Sequence, residues 1–226
     1  MEIKEDTKKV FESHTGFTQD QISKQYDDLC GNYEEVYNGV GWPDPDNCAQ
    51  QIVDNGFTED KEVLDMGCGT GLVGQYLKDK TKYENLKVMG VDASDGMIKK
   101  AEEKKVYSEF RNMMLCNPEK FVVDQKDLEG RFDFVSASGL LAEGHATPAV
   151  FDEMLFSLKT GGFAIFTSRK EYLEPLKYQE GMDEKVKDGK WELTHQTSYE
   201  KYSNSKDNPV GRFKPVMVEL FVFKKL

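Results

Sequence analysis

The 226-residue chain has little of what would place it in a membrane, in a secretory compartment or on a nucleic acid. No apolar run approaches the roughly 20 residues that cross a bilayer. The opening stretch Met1-Glu2-Ile3-Lys4-Glu5-Asp6 lacks the apolar core of a signal peptide. Four cysteines (Cys30, Cys48, Cys68 and Cys116) show neither CxxC spacing nor a disulfide framework, so reduced thiols and a cytoplasmic location are expected. Basic charge is short: 30 Lys and Arg stand against 41 Asp and Glu, a formal charge of −11. Nucleic acid is therefore a disfavoured partner, because phosphate binding needs a basic surface. Lys99, Lys100, Lys104 and Lys105 are interleaved with Glu102 and Glu103, which describes a solvated helix face. No His/Cys set has metal spacing, and no acid cluster stands where one would hold magnesium, so no metal site is expected. Internal repeats and low-complexity tracts are absent. At this length, with 38% hydrophobic and 31% charged residues, one wet-surfaced globular domain is expected.

What the chain does have is concentrated at residues 63–71. Val63-Leu64-Asp65-Met66-Gly67-Cys68-Gly69-Thr70-Gly71 is an apolar run that ends in an acid and breaks into glycines at alternate positions. Leu72, Val73, Tyr76 and Leu77 follow at helical spacing, which predicts a buried strand, a tight loop and a helix. Glycine permits backbone angles closed to other residues and lets a ligand approach the main chain. The helix start adds N–H groups beside it. This is a site for a nucleotide-like cofactor. Gly69-Thr70-Gly71-Leu72-Val73-Gly74 also fits GxGxxG, in which a dinucleotide pyrophosphate sits on the helix N-terminus. Asp65 would repel a pyrophosphate, yet it suits a ligand carrying an ammonium and a sulfonium. A second strand, Leu86 to Asp92, ends in an acid able to accept both ribose hydroxyls, which fits either cofactor. In Ala93-Ser94-Asp95-Gly96-Met97, Ser94 is a candidate N-cap and Met97 can flank an adenine. The expected cofactor residues here are Asp65, Gly67, Cys68, Gly69, Thr70, Gly71, Asp92, Ala93, Ser94 and Met97. Cys68 is expected for its small size rather than its sulfur.

From about Lys61 to Arg169 the chain resembles the class I S-adenosylmethionine-dependent methyltransferases. Residues 63–71 are similar to that family's first motif, and Gly90-Val91-Asp92-Ala93-Ser94 to the segment after its second strand. Gly71-Leu72-Val73-Gly74 and Ser138-Gly139-Leu140-Leu141-Ala142-Glu143-Gly144-His145 resemble the methyltransferase-like proteins of the Williams–Beuren syndrome region. The resemblance implies S-adenosyl-L-methionine as cofactor. It also implies a Rossmann-like three-layer sandwich, whose mostly parallel seven-stranded sheet ends in a reversed C-terminal β-hairpin. The remaining sequence supplies matching elements. Met113-Met114-Leu115-Cys116 is expected as the third strand, Phe132–Ala137 as the fourth and Phe163–Thr167 as the fifth. A helix should open at Thr147-Pro148 and stop at Gly161-Gly162. Alternating runs Trp191–Tyr199 and Val216–Phe223 should pair across a polar loop around Ser203–Pro209. One domain is expected over 1–226, with a helical cap or lid over 1–55 and the cofactor-binding core over 56–226. Within the cap, residues 1–21 are expected as a flap, Ile22 to Val40 as one helix and Cys48 to Val53 as another.

Open α/β sheets place ligands at the carboxyl ends of their strands. That nominates Asn117, as an adenine contact or as a plain turn, and Ser136 and Ser138 near the methyl group. The (Asp/Asn)-Pro-Pro-(Tyr/Phe) block of the amide- and nucleobase-methylating branch is missing; Ser136-Ala137-Ser138-Gly139 stands in its place. His145 is the histidine placed to act as general base, or else to shape the wall; His14 and His195 are expected on the surface. Tyr26, Tyr33, Tyr37 and Trp42 are candidates for a lid, with Tyr33, Tyr37, Trp42 and His145 as the acceptor pocket, or are ordinary packing. The expected activity is metal-independent methyl transfer to a small-molecule acceptor at O, N or a carboxylate. The rivals are a nicotinamide-dinucleotide oxidoreductase and a non-catalytic cofactor-binding module serving a protein partner.

Overall fold

The computed structural model describes residues 17–207 and 213–226. Most of the expected 1–21 flap, His14, and the Asn208-Pro209 end of the polar loop lie outside the described residues. Seven strands form one sheet in the order β3-β2-β1-β4-β5-β7-β6. They are β1 (Glu62–Met66), β2 (Lys87–Asp92), β3 (Glu109–Asn112), β4 (Phe132–Leu141), β5 (Leu158–Arg169), β6 (Trp191–Lys201) and β7 (Val216–Lys225). All neighbouring pairs from β3 to β5 are parallel, and β7 runs antiparallel to both β5 and β6. This is the α/β sandwich with the reversed terminal hairpin; β7 alone is turned around.

Strand alternation builds the layers. In β1, Val63 enters one hydrophobic cluster with Cys48, Ile52, Val73 and Leu77, whereas Leu64 and Met66 enter another with Phe151, Met154 and Tyr178. The first cluster packs α3 (Asp44–Asp54) and α4 (Leu72–Thr81) on one face. The second packs α6 (Pro118–Asp124), α7 (Val150–Ser157) and α8 (Tyr178–Lys187) on the other. A third cluster joins α1 (Gln19–Leu29), α2 (Tyr33–Val40) and Met97 of α5 (Asp95–Glu103) to Tyr202 and Phe213. Of the segment expected as a cap, α1 and α2 thus belong to the third cluster, while α3 flanks the sheet.

Three expectations are corrected. The third strand is Glu109–Asn112, not Met113–Cys116. It is the sheet edge, where charge is tolerated, and Arg111 ties back to Glu109 at 2.9 Å. The apolar run behind the misplacement faces a cavity, not the sheet. Second, Ile22–Val40 is two helices, broken at Cys30-Gly31-Asn32, where glycine and asparagine favour an end over an interior. Third, the helix after Thr147-Pro148 ends at Ser157, and β5 starts at Leu158, ahead of Gly161-Gly162.

The strand order reverses between β1 and β4, with β2 on one side and β5 on the other. Ligands of such sheets bind outside the carboxyl ends at that point. There the β4–β5 register slips between Ala137 and Leu141, and Gly139 has φ +72°. Its N–H turns to the Thr167 hydroxyl at 3.0 Å, which aims residues 138–140 at the cleft.

Candidate active site

Gly67, Gly69 and Gly71 all have positive φ (+68°, +52° and +83°), so the loop after β1 needs glycine at each alternate position. A Cβ on Gly69 would meet nothing within 4 Å, so the space beside its backbone is open to a ligand. Gly74 has a different task. A Cβ there would sit 2.5 Å from Cε2 of Tyr107, whose hydroxyl accepts the Gly74 N–H at 3.1 Å. The apparent third glycine of GxGxxG therefore admits a ring. Tyr107 in turn donates to Asp65 at 2.6 Å. Asp65 lies on the central strand and is buried, which pushes its carboxyl up to about 7 against the Tyr107 hydrogen bond.

Asp92 closes β2 and accepts from the backbone N–H groups of Gly69 at 2.8 Å and Ser94 at 2.9 Å. One carboxylate thereby ties the glycine loop to the start of α5. Ser94 caps that helix, accepting from Met97 N–H at 3.1 Å. The N-terminal helix α1 docks on the same corner. Asp27 accepts from the Ser94 hydroxyl at 2.6 Å and from Gly96 N–H at 2.9 Å, and Ser23 donates to the Ala93 carbonyl at 2.7 Å.

Below α1 lies a cleft of about 710 Å³, lined by Gly67, Gly69, Asp92, Ala93, Met97, Met113, Met114, Leu115, Ser138, Gly139 and His145, with Gln19, Ile22, Ser23, Tyr26 and Tyr33 on the helical side. A smaller recess of about 300 Å³ continues from it past Cys68, Thr70 and Trp42. A second chamber of about 840 Å³ opens on the other side, between Tyr37, Trp42, Asp44, Glu143, Arg169, Tyr172, Lys201 and Tyr202. The cleft and the chamber share Tyr26, Tyr33, Gly139 and His145. At that junction the Tyr26 hydroxyl lies 2.8 Å from Nε2 of His145, and Nδ1 lies 2.9 Å from the Glu143 carbonyl. A carbonyl only accepts, so Nδ1 carries a proton, and in the neutral ring Nε2 accepts from Tyr26.

The structure thus brings Gly67, Gly69, Asp92, Ala93, Met97 and Ser138 together in the main cleft, with Cys68 and Thr70 in the adjoining recess. Asp65, Gly71, Ser94 and Ser136 sit behind the wall, not in it. Burial pushes the Cys68 thiol well up, away from the thiolate a nucleophile needs. Asn117 stands apart from these cavities: its side chain accepts from Lys120 N–H and caps α6, the plain turn role. The acceptor candidates Tyr33, Tyr37, Trp42 and His145 all line the second chamber. His195 is exposed on β6. Sequence reasoning missed Met113, Met114 and Leu115 as lining, because their apolar run imitated a strand. Arg169, Lys201 and Asp44 were missed because no local pattern joins them.

A family model described as a methyltransferase domain matches residues 57–210. The chain belongs to that family. Methyltransferase-like protein 27 of Homo sapiens is 32% identical over 124 residues, 54% of this chain and 45% of that protein. Malonyl-[acyl-carrier protein] O-methyltransferase of Priestia megaterium is 25% identical over 118 residues, 52% of this chain and 40% of that protein. The match spans under half the length of both relatives. A solved structure assigned to the S-adenosylmethionine-dependent methyltransferases of Listeria monocytogenes superposes with TM-score 0.51 at 15% identity, covering 80% of this chain and 98% of that one, and shows the same fold.

The methyl donor of this family and fold is S-adenosylmethionine, and the cleft fits it. Besides the open space at Gly69, the Oγ atoms of Thr70 and Ser138 are buried with no hydrogen-bond partner, both at the recess. Each Asp92 oxygen engages one backbone donor and has a second lone pair for a ribose hydroxyl. Among the described residues, no group of three or more His, Cys, Asp or Glu is placed to hold a metal, and no helix is long and apolar enough to cross a membrane.

Proposed function

We propose that the chain methylates a small molecule held in the second chamber, working without a metal. The observation that carries this reading is the shared wall: a cofactor cleft and a separate chamber meet at Tyr26, Tyr33, Gly139 and His145. When bound, S-adenosylmethionine supplies an electrophilic methyl group on a sulfonium. In this reading Asp92 holds the ribose, Met97, Met113 and Leu115 flank the adenine, and Gly67, Gly69, Thr70 and Ser138 hold the amino-acid end. Residues 1–226 act as one domain, with α1 and α2 as the cap that keeps water from the junction. Positioning carries most of the rate, since in-line attack at a methyl asks little of side chains. Where the acceptor must lose a proton, the Tyr26 oxygen takes it while passing its own to Nε2 of His145. A cytoplasmic setting suits the four unpaired thiols. The malonyl-[acyl-carrier protein] O-methyltransferase relative supports a small acceptor group.

The test is methyl transfer from S-adenosylmethionine carrying a labelled methyl, offered a panel of small alcohols, amines and acids beside bulk RNA and protein, with and without EDTA. Label should enter low-mass products and persist in EDTA. Label confined to RNA or protein, or activity lost in EDTA and restored by magnesium, would overturn the reading.

A further inference from the structure

The second chamber contains charge that the proposed methyl transfer does not use. Asp44 and Lys201 form a closed pair. Lys201 Nζ lies 2.9 Å from Asp44 Oδ2, the two side chains are 8% and 1% exposed, and the Tyr199 hydroxyl adds a further bond to Asp44 at 3.1 Å. The charges of this pair cancel, so it presents no net charge to a ligand. Arg169 is different. It is the last residue of β5, and its side chain is 15% exposed, with its guanidinium 5.3 Å from the Tyr172 ring and 5.6 Å from the Tyr202 ring. Its ion pair is a single contact at 3.2 Å to Glu171, whose side chain is 57% exposed. Glu143, the chamber's other carboxylate, forms no ion pair with it within 4.0 Å.

An arginine held this deep costs desolvation, opposed by Tyr202, Tyr172 and Glu171, and of these three Glu171 alone is a carboxylate, exposed and in contact through one nitrogen. Guanidinium presents five donors in a fixed plane that matches the two oxygens of a carboxylate or phosphate. The Tyr172 and Tyr202 rings lie 5.3 and 5.6 Å from the centre of that plane, and the Tyr202 hydroxyl accepts from it while the remaining donors stay open to the chamber. Trp42, Tyr37 and Tyr202 supply flat apolar walls for the rest of a ligand.

We infer that the acceptor is a small oxyanion-bearing molecule whose carboxylate or phosphate is anchored by Arg169, with the Asp44–Lys201 pair serving as neutral wall. This rests on the methyltransferase reading of the two cavities. It adds the class of acceptor: the anionic group goes to Arg169, and the body extends toward Tyr26 and His145.

The test uses the full chain loaded with S-adenosylhomocysteine, monitored by calorimetry, and three probes of one shape: phenylacetate, phenylacetamide and phenyl phosphate. Loading with S-adenosylhomocysteine is itself the first readout. If it fails in folded protein, the methyltransferase reading falls, and the acceptor class with it. Once loaded, at least one of the two anions should bind at millimolar concentration, and the amide should bind about tenfold more weakly or not at all. Phosphate over carboxylate, or the reverse, identifies the source of the oxyanion, and either order supports the inference. Arg169→Gln should weaken anion binding about tenfold or more while S-adenosylhomocysteine binds as before; Arg169→Lys, which keeps the charge but not the fork, should fall between. Unchanged S-adenosylhomocysteine affinity in each variant certifies its fold. The inference is overturned if neither anion binds the loaded parent, if the amide binds as well as the acid, or if Arg169→Gln leaves anion affinity intact.

Discussion

The cleft and the second chamber share four residues, yet they are built in different ways. The sheet side of the cleft is made of short pieces at strand ends, residues 67–70, 92–97, 113–115 and 138–140, under side chains of α1 and α2. Backbone conformation does much of the work there: left-handed glycines, a capped helix start and a carboxylate accepting two N–H groups. The chamber joins side chains of α1 and α2, the 42–44 turn, the end of β4 with the loop after it, and the ends of β5 and β6. Local sequence can encode the first kind of site, because backbone angles depend on near neighbours. It cannot encode the second, whose members meet only after the sheet and α1–α2 have packed.

The largest effect expected from that difference is a separation of functions. Trp42 lines the chamber and only the recess of the cofactor side, whereas Tyr33 and His145 line both main cavities. Trp42→Ala should lower kcat/KM on an identified acceptor by about 10- to 1000-fold through lost alignment, with a much smaller loss of cofactor affinity, since Trp42 meets the cofactor side only at the recess. Tyr33→Ala and His145→Ala should move both quantities. For His145→Ala, the pH profile adds a readout: a rate limb that rises with pH in the parent should vanish if this residue takes the proton. Cofactor affinity falling in step with turnover for Trp42→Ala would dissolve the distinction between the two regions.

Next in size is a variant confined to the cofactor side. Asp92→Ala removes the acceptor of Gly69 and Ser94 N–H together with the ribose partner. A charge-assisted hydrogen bond is worth about 1.5–3 kcal/mol, so affinity for S-adenosylmethionine should fall roughly 10- to 150-fold by calorimetry. Unchanged affinity would mean that Asp92 only holds the loop and that the ribose lies elsewhere.

These two regions also mark what sequence could and could not reveal. Gly67 to Gly71, Asp92 and the Ser94 cap were legible because their spacing and their backbone roles coincide. Asp65 was legible as an acid at the end of β1 but not as one turned away from the cleft. Strand alternation buries it beside Tyr107, and that partner lies 42 positions later. Met113 to Leu115 were misread because an apolar run lining a ligand cavity has the same composition as one lining a sheet. Arg169 carried no signal at all: one arginine at the end of a strand is ordinary until Tyr172 and Tyr202 close on it.

The smallest expected effect concerns the part of the cofactor cleft that is not local. Glu153 on α7 is buried, and its two oxygens accept the N–H groups of Cys116 at 3.0 Å and Asn117 at 2.9 Å. Cys116 has φ +76°, an uncommon angle for a residue with a side chain, so this carboxyl pins the loop that presents Met113 to Leu115 to the cleft. Burial pushes Glu153 up to about 7, against those two hydrogen bonds. The ordinary value in an unfolded chain is about 4.3. Between the two, the folded state keeps a proton that the unfolded state has released, so the folded state binds more protons and stability falls as pH rises through that window. Below it both states are protonated, and above it both are ionised, so the contribution levels off. Asp65, pushed up to about 7 as well, acts in the same direction. Glu153→Gln cannot ionise and should lose its share of the slope: its stability in urea should improve relative to the parent by about 1–3 kcal/mol between pH 5 and pH 8. Its amide offers one acceptor where the carboxylate offers two, so one loop N–H loses its partner, and cofactor affinity should drop a few-fold at neutral pH. Parallel stability curves for variant and parent across that range would show that Glu153 is ionised throughout. A cofactor affinity equal to the parent's would show that the loop holds its shape without the carboxylate, leaving the cleft as local in its construction as its glycines suggest.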